Sequence, residues 1–223
     1  MKQNEKMKNF LAQTTSFIAV VALLIVGFAG AEPQVVGAVS DEVIVNLTVE
    51  SGISITSPAD VTMSNMGTAV NTSTGWAIWN VKTNDPDGYT LAVKATTSPA
   101  MRNGVSSFAD YTEATPATPD TWSVSSAVEF GFSGLGTDVV NVGSDQYAAT
   151  GQTVCDDGAA SSTINTTLKF LGFETSDQTL ASRAATTTTS GIDTRICFAA
   201  EQAGVYADAG LYQASIVATA TAL

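Results

Sequence analysis

The side chains that most often do chemistry are thinly supplied in this chain, and that excludes whole classes of reaction. Its 223 residues include no histidine, so neither a Ser-His-Asp nor a Cys-His nucleophile system can be built. The same absence removes the HExxH helix and most zinc catalysis. Two lone thiols, Cys155 and Cys197, have no further ligands to recruit for a metal. An even pair in an oxidising compartment is expected to form one structural disulfide, worth roughly 4 kcal/mol in the chain-entropy model. Carboxylate-only chemistry such as glycoside hydrolysis stays formally open, but no local motif singles out two acids. Thr166-Thr167-Leu168-Lys169 comes nearest to a Ser-x-x-Lys nucleophile pattern. It falls in an expected strand rather than at a helix start, and it uses threonine.

Two acidic turns, Asp85-Pro86-Asp87-Gly88 and Asp156-Asp157-Gly158, place carboxylates beside a glycine as calcium loops do. Neither follows the twelve-residue EF-hand pattern, and Asp and Gly are what tight turns require. No metal, cofactor or catalytic residue is therefore assigned. Trp76, Tyr111 and Trp122 are the candidate ligand-stacking residues, since aromatic faces pack well on sugar rings, although most aromatics of a β-sandwich belong to its core. Matches to the glycosylation sequon at Asn46, Asn71 and Asn165 are no more than the Ser/Thr-rich composition produces by chance.

These residues must be held by strands. Charged residues make up 13% of the chain against 44% hydrophobic, the reverse of a disordered composition, and Thr, Ser, Val and Gly dominate over helix formers. The net charge of −12 leaves only Lys82, Lys94, Arg102, Lys169, Arg183 and Arg195 as cations beyond residue 8. Such a surface repels phosphate backbones, which excludes nucleic acid as a partner, and it disfavours anionic lipid.

Residues 1–31 read as an export signal: Lys2, Lys6 and Lys8 precede the apolar run Phe17 to Gly30, with cleavage expected after Ala31 or alternatively after Ala38. The run is near the lower limit for a bilayer span, so no stable membrane span is expected after cleavage, and the rest belongs outside the cytoplasm. Residues 39–223 then read as one domain. Val43, Val45, Leu47 and Val49 alternate with Ile44, Asn46, Thr48 and Glu50, which predicts a half-buried strand. Ile53–Ile55 resumes extended structure. Trp76–Thr83 and Tyr89–Val93, joined by Asn84-Asp85-Pro86-Asp87-Gly88, predict a hairpin with Ala77, Trp79, Val81, Thr83, Tyr89, Leu91 and Val93 facing the core and Trp76 facing out. Residues 98–121, with Pro99, Pro116 and Pro119, are a long connection or a poorly ordered excursion. Strands are further expected at Trp122–Val124, Glu129–Ser133, Ser162–Phe173, Gly191–Ala199 and Tyr212–Ala222, with Cys197 on the outer face or at a strand end and 184–190 a loop or edge. The pattern predicts an all-β antiparallel sandwich with Greek-key-like connections.

Asp87-Gly88-Tyr89-Thr90-Leu91 and Ala209-Gly210-Leu211-Tyr212-Gln213-Ala214-Ser215-Ile216 resemble the two signature strands of WxL-type bacterial surface domains, and Ile53 to Met66 resembles that family's opening strands. Tyr89 stands where the family has its first tryptophan, and Ala or Thr where it has its second. The resemblance implies an exported sandwich associating non-covalently with a cell wall. The chain also resembles secreted fibre subunits of the TasA and camelysin type, in which an N-terminal strand is donated to a neighbour; the segment Val39 to Val49 is the counterpart. The expectation is an exported, non-enzymatic surface protein that is structural or wall-associating. The alternatives are an extracellular carbohydrate-binding module and a strand-donating fibre subunit. Its partners would be wall glycan, other surface proteins, or its own copies through edge strands.

Overall fold

Alternation of side chains dictates which strands form and which way they face. The computed structural model describes residues 42–139, 141–142, 145–147, 153–156 and 162–223. The export segment, both cleavage sites and Asp157-Gly158 of the second acidic turn lie outside them. The described strands are β1 (Ile53–Thr56), β2 (Thr72–Thr83), β3 (Tyr89–Ala95), β4 (Ala109–Asp110), β5 (Asp120–Thr121), β6 (Val128–Leu135), β7 (Asn141–Val142), β8 (Asp145–Gln146), β9 (Lys169–Gly172), β10 (Gln178–Arg183), β11 (Ile192–Gln202) and β12 (Ile216–Ala222), with no helix among the described residues. The larger sheet runs β1-β2-β11-β6-β9-β5, the smaller β10-β3-β12, and β7 pairs with β8 alone. Every ladder is antiparallel except the short one between β4 and β6.

The inward rows are those the alternation predicts. Ala77, Trp79 and Val81 of β2 and Tyr89, Leu91 and Val93 of β3 are all buried in one apolar cluster. The predicted hairpin is not one, however. β2 is hydrogen-bonded to β1 and β11, whereas β3 is hydrogen-bonded to β10 and β12. Residues 84–88 form an arch that carries the chain from one sheet to the other. Turn chemistry and period-two patterning report that two consecutive strands face one core. They do not report whether the strands share a ladder or face each other across the roughly 10 Å between packed sheets. Gly88 is required here: its φ is +92°, and a Cβ would fall 1.9 Å from the Arg183 carbonyl oxygen.

Three further expectations change. Val43–Val49 lies outside every ladder and is exposed throughout, because an alternating apolar row becomes a buried strand only where an edge receives it. Trp122–Val124 is irregular, the strand falling two residues earlier at β5, and of Ser162–Phe173 only β9 enters a sheet. β10 carries no clean alternation in the sequence because a bulge between Thr179 and Ala181 puts Leu180 and Ala181 both in the core. The 98–121 stretch is a tied connection. Asp110 accepts from Ser98 Oγ and Ala100 N at 2.7 and 2.8 Å, and Arg102 exchanges two backbone bonds with Gln213.

Between the sheets, Phe132 packs 4.5 Å from Phe173, and Phe130 lies 5.3 Å from the same ring. The opposite face of the larger sheet carries a second cluster of Tyr111, Leu135, Cys155, Ile164, Leu168, Phe170, Cys197 and Ala199. The Cys155–Cys197 disulfide pins this layer to β11. As expected from its parity, Cys197 points away from the main core, yet it is buried within the second cluster beside Cys155, Ile164, Leu168 and Phe170.

Candidate functional site

The three aromatic candidates are held in different ways. Tyr111 is buried and stacks on Trp122 with ring centroids 4.5 Å apart, while Phe170 meets Trp122 edge-on. Its hydroxyl donates to Asp120 Oδ1 at 2.6 Å, and burial, followed by the Asp120 hydrogen bond and charge, pushes its pKa up. Trp122 Nε1 donates to Glu201 Oε2 at 2.6 Å. Trp76 stands apart from this pair. It pairs across the ladder with Cys197, is half exposed, and carries the Arg195 guanidinium over its ring at 4.6 Å. Tyr111 and Trp122 therefore direct their faces at each other, and Trp76 is the ring that meets solvent.

The acids are occupied in structural roles. Asp85 Oδ1 accepts from Asp87 N at 3.0 Å and its Oδ2 from Ser51 Oγ at 2.9 Å, which closes the arch. No group of three metal-ligating side chains occurs among the described residues. Glu129 and Glu201 oppose each other across the β6–β11 ladder. Desolvation raises the Glu129 pKa, an effect the Thr112 amide opposes and the Glu201 charge reinforces. At one end of the core the Tyr89 hydroxyl donates to Asp138 Oδ2 at 3.0 Å, and Arg183 pairs with the same carboxylate at 3.2 Å. Burial first, and the Asp138 charge second, drive the Tyr89 pKa upward. This network locks β3 and β10 to the turn after β6.

Among the described residues, the feature with no internal explanation is an open edge. Core-facing residues of β3 are fully buried, but those of the neighbouring edge strand β12, namely Ile216, Ala218 and Ala220, remain partly exposed. β1 lies beside β12 without a ladder between them. Its Ile53 and Ile55 are likewise only partly covered, as are Val61, Met63 and Met66. Just before β1, Val43, Ile44, Val45, Leu47 and Val49 are 73–86% exposed. Soluble chains seldom leave five large apolar side chains so open within seven residues.

Compared with protein-family models, curated proteins and solved structures, the chain matches none.

Asn84 anchors the start of this region. Its Oδ1 accepts from Gly52 N at 2.7 Å and its Nδ2 donates to Glu50 O at 2.8 Å. Gly52 O in turn accepts from Asn84 N and Thr83 Oγ1. Asn84 thus ties Glu50 and Gly52 to the arch. Sequence reasoning found the apolar alternation of the lead and missed both the anchor and the open edge. The small residues of β12, Ala218, Ala220 and Ala222, were the available signal, because a strand whose inward row is mostly alanine fills little of a core.

Proposed function

We propose that the chain is an exported, non-enzymatic structural subunit of a cell surface, which associates with further copies by strand pairing. The observation that carries this reading is the exposed alternating lead, Val43–Val49, on a domain whose core is left partly open at one edge. Burying a Val or Leu side chain is worth about 1.5–3 kcal/mol, so four on one face of a strand give association a strong drive once an edge supplies backbone partners. Export is supported by the charged-then-apolar N-terminal sequence and is compatible with the disulfide, which persists in oxidising compartments. No described helix is long and apolar enough to cross a membrane. The resemblance to WxL-type and TasA-type surface proteins points the same way and supplies wall glycan as a further candidate partner.

Sedimentation of the chain beginning at Glu32, against the same chain lacking residues 42–49, tests the reading. Concentration-dependent assembly confined to the longer chain is expected. Strictly monomeric behaviour of both at high concentration, or equal assembly of both, overturns it. Glycan binding is the second reading, favoured by the half-exposed Trp76. Retention on purified wall glycan that survives Trp76→Ala would remove its aromatic basis.

A further inference from the structure

We infer that the acceptor for the lead is the free edge of β12 in a second copy of this chain, so that Val43–Val49 of one molecule adds a fourth strand to the β10-β3-β12 sheet of another. The inference rests on the assembly reading above and adds to it the receiving site.

The edges available narrow the choice. The outer side of β10 is taken, since Val139 bridges Ala181 and the Asp138 carbonyl accepts from Ser182 N. β5, at the far edge of the larger sheet, has two residues, and β1, at the near edge, has four. β12 has seven, the same length as the alternating lead. Its free groups can be assigned from one bond. Leu223 N donates to Gly88 O, and backbone groups alternate sides along an antiparallel strand. Thr219 and Thr221, opposite Ala92 and Thr90, therefore spend their N–H and C=O groups on β3. Ala218 and Ala220 aim theirs away from β3, where the sheet has no further strand among the described residues. The edge thus offers an unpaired ladder backed by a small, partly exposed inward row.

An occupant of this edge needs an extended backbone, one face of large apolar side chains to fill what the alanines leave, and a second face that tolerates water. The lead has all three, with Val43, Val45, Leu47 and Val49 on one face and Asn46, Thr48 and Glu50 among the residues on the other. A tight hairpin returning the lead to β1 of its own molecule would close on Gly52, whose N–H and C=O are both bonded to Asn84. That favours donation to a second copy.

The test uses the chain lacking residues 42–49, titrated with a labelled synthetic peptide of residues 42–50, with hydrogen exchange followed at single amides. Saturable one-to-one binding is expected, together with slowed exchange at Ala218 and Ala220 and little change at Thr219, which is already bonded to β3. Ala220→Pro removes an edge N–H without touching the β3 ladder and is expected to weaken binding at least tenfold. Thr219→Lys, on the outer face, is expected to leave binding within twofold. Peptide binding without protection at Ala218 and Ala220 overturns the β12 assignment, whether or not the proline variant folds. Assembly of the full chain that depends on the lead but persists in folded Ala220→Pro places the acceptor elsewhere and leaves the assembly reading standing. Equal assembly with and without the lead ends both.

Discussion

The outer face of the larger sheet and the β1/β12 edge present the same problem, apolar side chains at the boundary of a sheet, and resolve it differently. Over β11 and β6 the chain spends its connections as a lid. Tyr111, Trp122 and Leu168 pack there beside Phe170 of β9, and the Cys155–Cys197 disulfide pins the layer to β11. At the other place no comparable lid forms among the described residues, and Ile53, Ile55, Ile216, Ala218 and Ala220 stay partly open. The contrast shows a core closed by covalent and aromatic means where closure is internal, and left unfinished where seven exposed residues of matching pattern precede it. Exposed edges of this kind are normally blunted by charge, proline or bulges. β12, with the sequence IVATATA, carries none of these.

If the two regions are independent, unpinning the covered face must leave the edge working. Replacing both cysteines, Cys155→Ala with Cys197→Ala, is expected to cost about 2–5 kcal/mol. In a domain of this size that lowers the melting temperature by roughly 5–15 °C. Lead-dependent association below the new melting range should be unchanged by sedimentation. Association that declines in step with stability would show that the two regions share one cooperative unit and would break the comparison.

A smaller effect is expected at the anchor. Asn84→Ala removes two exposed hydrogen bonds to Glu50 and Gly52, a loss of about 1 kcal/mol. The Gly52 amide should then exchange faster while the Tyr89, Leu91 and Val93 amides keep their protection. If the anchor matters for donation, association weakens severalfold because Glu50 and Gly52 lose their tie to the arch. Unaltered association would make Asn84 a turn residue alone.

What the sequence disclosed follows the same division. The cysteine pair, the inward parity of β2 and β3, and the outward turn of Trp76 and Cys197 were legible, because each depends on one strand's own period or on redox chemistry. Pairing partners were not. The arch at 84–88 was indistinguishable from a hairpin, since both need the same Asp-Pro-Asp-Gly chemistry. β10 was hidden by the bulge that puts Leu180 and Ala181 on the same side. The lead read as a half-buried strand because alternation reports the capacity to be buried and carries no information on which molecule provides the edge. At the candidate stacking residues, sequence grouped Trp76, Tyr111 and Trp122 as one set, and could neither set Trp76 apart nor turn the faces of Tyr111 and Trp122 together. That arrangement depends on β9 and Phe170, some fifty residues further along the chain.

The finest test of the comparison lies at the rim of the covered face, where closure has an electrostatic cost. Glu129 and Glu201 sit opposite each other on β6 and β11, and Trp122 Nε1 is bonded to Glu201. Like charges directly opposed on a ladder are destabilising. Because burial and the Glu201 charge raise the Glu129 pKa, the folded protein holds this proton more tightly than the unfolded chain. Stability therefore falls as pH rises through the Glu129 titration, and the penalty is fully present only above its folded pKa. Glu129→Gln removes the charge while keeping an oxygen to accept from Thr112 N. It is expected to raise the melting temperature by about 1–2 °C at pH 7 and to leave it nearly unchanged at pH 3.5, with lead-dependent association the same at both. A gain equal at the two pH values would assign the effect to packing instead of charge. A change in association would mean that the rim of the covered face reaches the open edge after all.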